Sequence, residues 1–84
     1  MKDVDRAIKV IEEMSEEWAA AFEGGDENRQ MWALSCIDVM HERAMDDPEF
    51  AARLAAIHRM PREQWSEAMI KEVPPEQEID PHVS

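Results

Sequence analysis

The residues with the widest chemical range fall in one short stretch: Cys36, Asp38, His41 and Glu42. An acid three residues ahead of a histidine on a helix is how some di-metal bundles present ligands, and Asp38 and His41 have that spacing. Such a site also needs a matching second motif and further carboxylates. His58, the other internal histidine, has no acid at position 54 or 55. The pattern therefore predicts no metal site. His41 is read as a partly buried polar member of a helix interface, and Asp38 as an exposed or pairing acid. A catalytic thiol needs a base and an oxyanion-stabilising group beside it. His41 stands five residues from Cys36, a spacing that turns it to a different helix face, so Cys36 is expected to behave as a small buried hydrophobe. Ser15 and Ser35 lie inside apolar stretches without an elbow motif. The only glycines, Gly24 and Gly25, form no phosphate loop. No catalytic residue, cofactor or metal is expected, and the chain reads as a non-enzyme.

The elements that must position these residues are helices. Breaks fall at Gly24-Gly25, Asp46-Asp47-Pro48, Met60-Pro61 and Val73-Pro74-Pro75, and no stretch alternates apolar with polar residues as a half-buried strand does. In the first segment, 3–23, Val4, Ile8, Ile11, Trp18 and Phe22 make an amphipathic stripe that only Ser15 interrupts. Gly24 is expected to end that helix at the position tolerating a positive φ. In the second, 27–45, Asp26 is a plausible N-cap. Met31, Leu34, Ile37, His41, Ala44 and Met45 share one face, and Trp32, Cys36, Val39 and Met40 another. Two apolar faces predict the central, most enclosed helix. The third segment, 48–59, opens with Asp47 as N-cap before an N1 proline and carries Phe50, Leu54 and Ile57 beside Ala51 and Ala55, small residues that permit close helix approach. The fourth, 61–72, is expected to be helical from Pro61 onward, with Trp65, Met69 and Val73 on its apolar face. The fold class predicted is all-α, a small bundle of three to four helices in one domain spanning 1–73. An extended, proline-rich acidic tail covers 74–84.

Charge and size narrow the function. The 84 residues carry nine Lys and Arg against 20 Asp and Glu, a net charge of −11. So short a chain has a limited core and little scaffold for a deep cleft. Nine acids and three bases fall in residues 1–27, residues 28–45 are neutral, and the tail holds three acids and no base. Asp5, Glu12, Glu16 and Glu23 share one face of the first helix, with Glu13 and Glu17 beside it, as an acidic ridge opposite the apolar stripe. Such a ridge can simply solvate the helix. It can also engage basic groups on another protein, an encounter that the net charge would steer. The same field opposes contact with nucleic-acid phosphates or an anionic membrane. The longest uncharged run, residues 30–37, is far short of the roughly 20 residues that span a bilayer. With one cysteine and no apolar leader at the N-terminus, a cytoplasmic setting is the expectation.

Two protein-binding functions follow. The leading one is a non-enzymatic module whose ridge and tail (Glu12, Glu13, Glu16, Glu17, Glu23, Glu76, Glu78 and Asp80) pair with Lys or Arg of a basic partner. In composition, though in no motif, the chain resembles the small acidic helical proteins of phages and other mobile elements. Some of these are anti-CRISPR or anti-restriction inhibitors, and some are DNA mimics. That resemblance implies a partner in nucleic-acid-handling machinery; the bases interspersed among the acids depart from literal DNA mimicry. The second function is a homo-oligomeric helical adaptor, a dimer for example, joined through Met- and Trp-rich faces. Trp32, Met40, Trp65 and Met69 would form its apolar interface. Each of the three tryptophans can alternatively anchor a helix junction within the fold.

Overall fold

In the computed structural model, which describes residues 2–73, four α-helices and one short 3₁₀ turn form an all-α bundle. The expected tail, with Glu76, Glu78 and Asp80, lies outside the described residues. Helix α1 runs Asp3–Ala21, α2 Glu27–Asp46 and α3 Pro48–His58. A 3₁₀ turn, Arg62–Gln64, then leads into α4, Trp65–Met69. Among the described residues no strand occurs, and no helix is long and apolar enough to cross a membrane.

Local chemistry sets most of the boundaries. Asp26 caps α2 by accepting from the backbone N–H groups of Asn28 (3.0 Å) and Arg29 (3.3 Å). Asp47 caps α3 in the same way, accepting from Glu49 (3.0 Å) and Phe50 (3.2 Å), with Pro48 in the first turn. Each cap satisfies N–H groups that have no partner within the helix. α1 ends earlier than its glycine suggests. Phe22 is the C-cap, and Gly24 (φ 80°) lies in the following turn, which the Gly25 N–H closes by donating to the Phe22 carbonyl (3.0 Å). The fourth segment also differs from the expectation of one helix from Pro61. Its first turn is 3₁₀, and α4 has only five residues. The Trp65 indole N–H donates to the Met60 carbonyl (2.9 Å), folding the chain back on itself before a regular helix can start.

Packing reverses the expected order of enclosure. α1, not α2, is the central helix: it packs along both α2 and α3, which meet each other only briefly. Its residues Ala7, Val10, Ile11 and Met14 are fully buried, together with Phe50, Ala51, Leu54 and Ile57 of α3 and Ala33, Cys36 and Met40 of α2. The four residues proposed for an apolar interface, Trp32, Met40, Trp65 and Met69, all belong to this core instead. The tryptophans join helices. Trp18 of α1 stacks on Trp32 of α2, with centroids 5.7 Å apart, and donates its N–H to Ser66 Oγ on α4 (3.1 Å). Trp65 and Met69 dock α4 onto the bundle, and Val73 packs against it from beyond the helix.

Ser15, which interrupts the α1 stripe, is fully buried with its Oγ unpartnered. A buried hydroxyl without a partner costs about 1–3 kcal/mol, and alanine is also the better helix former. Ser15→Ala should therefore raise the urea midpoint by the equivalent of about 1 kcal/mol at unchanged m. Asp47→Ala, which removes the α3 cap, should cost about 1 kcal/mol in the same titration. A loss of stability in Ser15→Ala would contradict the unpartnered hydroxyl.

Candidate functional site: an acidic face with tethered arginines

The stretch that opened the chemical argument is dispersed by the fold. Cys36 is fully buried, and desolvation pushes its thiol up to about 11, so little of the nucleophilic thiolate exists near neutral pH. His41 points toward α1 from the rim of α2, with Nε2 3.3 Å from Glu12 Oε1. Asp38 and Glu42 are exposed. His58 is tilted against Trp65, with centroids 5.4 Å apart, at the α3–α4 corner. Among the described residues no group of three His, Cys, Asp or Glu is placed to hold a metal ion.

The charged groups show a clear division of labour. Every arginine is turned to an intramolecular partner. Arg62 lies 3.0 Å from Glu17 and 3.8 Å from Glu13, with its guanidinium 4.7 Å from the Trp65 centroid. Arg53 donates to Glu72 (3.2 Å). Arg59 and Arg6 both approach Asp3, at 3.7 and 3.9 Å. Arg43 covers the Phe50 ring (4.2 Å) and Arg29 the Phe22 ring (5.5 Å). Exposed ion pairs of this kind are each worth about 0–1 kcal/mol, and a cation over a ring about the same. Their main effect is to fix where positive charge resides: along the seams between helices.

The acids remain outside. Of the ridge residues, Glu12 lies 3.3 Å from His41 Nε2 without a hydrogen bond, and Glu13 and Glu17 pair with Arg62, so one flank of the ridge is latched to a neighbouring element. Glu16 and Glu23 stay exposed, as does Asp5 at the head of the ridge, with no ion pair among the described residues. On α2 the same holds for Glu27, Asp38, Glu42 and Asp46, and farther along the chain for Glu49, Glu63 and Glu67. The periodicity located the ridge, but the latches join residues as much as 45 positions apart, and no local pattern announces them.

A second exposed surface lies on α2, on a different face from the Trp32 and Met40 side named in the sequence reading. Met31, Leu34 and Met45 of α2, expected inside, are 50%, 44% and 72% exposed. Met45 also lines a shallow apolar cleft of about 360 Å³ with Val4, Ala44, Pro48 and Ala51, and Asp3 lies at its edge. The missed signal was the mixture itself: acids recur between these apolar residues on one arc of the helix, which a fully buried face would not carry.

No family model, curated protein or solved structure significantly matches the chain.

Cys36 supplies a chemical check on the burial. In the native protein its thiol should resist alkylation at mildly alkaline pH and react freely in denaturant. Its pKa is raised in the folded state, so the unfolded chain releases the proton first. The thiol's contribution is intact below its ordinary value of 9.0 and is lost as pH climbs toward about 11. Denaturation curves across that window should show a stability decline in the parent that is absent from Cys36→Ala.

Proposed function

We propose that this chain is a non-enzymatic, cytoplasmic binding module that presents acidic surface to a basic partner protein. The observation that carries this reading is the segregation of charge. All six arginines have a partner within the fold, for Arg6, Arg53, Arg59 and Arg62 a carboxylate, while most exposed carboxylates among the described residues make no ion pair. The interspersed bases, which at the level of composition argued against an acidic mimic, are tied mostly to the fold's own acids and rings, and the chain keeps its net charge of −11. A field of one sign attracts Lys- and Arg-lined surfaces and speeds encounter with them. Surfaces of that kind are what DNA- and RNA-handling proteins use to hold phosphates. The compositional resemblance to phage-encoded inhibitors of the anti-CRISPR and anti-restriction type names the same partner class, with occupation of the phosphate-binding surface as the mode of inhibition.

Within the ridge, Glu16 and Glu23 are the acids to test, because reversing Glu12, Glu13 or Glu17 would also disturb contacts with His41 or Arg62. The immobilised chain should retain nucleic-acid-handling proteins from lysate at low salt and release them at high salt. The double variant Glu16→Lys, Glu23→Lys should weaken that retention while keeping its helicity. Retention indifferent to both salt and charge reversal would overturn the reading. An adaptor built on Trp32, Met40, Trp65 and Met69 has no surface to use in the folded chain, because those side chains lie in its core.

A further inference from the structure

The exposed apolar residues of α2 have a use. At 100° per residue, Leu34, Met45, Asp38, Met31 and Glu42 fall within about 80° of one another around the helix axis. This arc is α2's outward side, opposite the buried Ala33, Cys36 and Met40. It holds large apolar side chains alternating with acids, and it contains no base. Arg29 and Arg43 lie round the helix from it, against the rings of Phe22 and Phe50. At the Met45 end the arc opens into the apolar cleft formed with Val4, Pro48 and Ala51. Three exposed large apolar side chains on one arc, interspersed with acids only and leading into an apolar cleft, give a partner both apolar and charged points of contact.

We infer that the outer face of α2 is a docking surface for an amphipathic, basic helix of the partner protein. This inference rests on the acidic-binding reading above and adds the place and form of the contact. The partner's apolar stripe lies over Met31, Leu34 and Met45 and inserts one large side chain into the cleft; its lysines or arginines meet Asp38 and Glu42. Methionine suits the task, because its flexible thioether adapts to the shape laid on it. Charge decides against two other occupants. A second copy packed symmetrically on this face would set Asp38 and Glu42 against acids of the same kind, between bodies carrying −11 each. The chain's own residues 74–84 carry Glu76, Glu78 and Asp80 and no Lys or Arg, so they have the same sign as the face. The acidic ridge adjoins this surface where Glu12 meets His41. The ridge acts on the rate of encounter and the α2 face on the lifetime of the complex, as outlying charges and buried anchors do at other interfaces.

The test uses the full chain and two synthetic helical peptides. One carries leucine at every third or fourth position with lysine elsewhere; the other replaces each lysine by glutamate. The lysine peptide should bind, shifting the amide resonances of Met31, Leu34, Asp38 and Met45, and the glutamate peptide should not. The surface variant Leu34→Gln, Met45→Gln should dissociate about tenfold faster with an unchanged association rate. The ridge variant Glu16→Lys, Glu23→Lys should associate more slowly with an unchanged dissociation rate. Binding with shifts confined to Glu12, Glu16 and Glu23 would overturn the α2 surface and leave the acidic-binding function standing. Absence of any lysine-peptide binding would overturn both. A concentration-dependent dimer whose α2 resonances move on dilution would give the face to a second copy instead.

Discussion

The bundle depends on α1 offering apolar surface over about half of its circumference, from Val10 round to Ala19. A helix with so wide an arc can hold two neighbours, and α1 holds α2 on one side and α3 on the other. With both partners seated on α1, α2 and α3 have little reason to close over each other. Small residues make the arrangement dense: Ala7 and Ala19 on α1, Ala33 and Ala44 on α2, Ala51 and Ala55 on α3 are all buried and bring backbones close. What α1 does not cover stays open, as the outward face of α2 does.

Charge placement follows from the same geometry. Arginines stand at helix margins, where a long apolar stem can lie on the core while the guanidinium reaches a carboxylate or a ring on the next element. Arg62 does this most fully, reaching Glu13 and Glu17 on α1 and Trp65 on α4. Each contact is weak alone, but together they tie the arginines to particular acids and rings along the helix margins. The acids are left on the crests. An exterior rich in acids without ion pairs therefore arises although bases are interspersed along the sequence.

The parts of this fold that were legible in the sequence were local ones. Asp26 and the Asp47-Pro48 pair announced helix starts because a cap is chemistry between a side chain and the backbone two or three residues on. The buried character of Cys36 and the exposure of Asp38 followed from their positions on a helix of known pitch. What could not be read was the number of neighbours a helix would have. Periodicity says that Met31, Leu34 and Met45 share a face; it does not say whether anything lies against it. Both apolar faces of α2 looked alike until the width of the α1 arc settled which was covered. The fourth segment was misjudged for a related reason: Trp65 bonds back to Met60, and that contact, rather than helix propensity, shapes the chain after Pro61. As for the candidate site, its acids were visible, but the arginines that isolate them were not, because those pairings are tertiary.

The small size of α4 bears on how the molecule breathes. Five residues make little more than one helical turn, held by the buried side chains of Trp65 and Met69 and by a few polar contacts. Such a unit opens at a lower free energy than the three long helices and gives the chain a sub-global unfolding step. In the opened state Trp18 loses its bond to Ser66, and the indole of Trp65 and the thioether of Met69 enter solvent. Opening of α4 would therefore turn a charged surface into an apolar one, and amide exchange in α4 would report it.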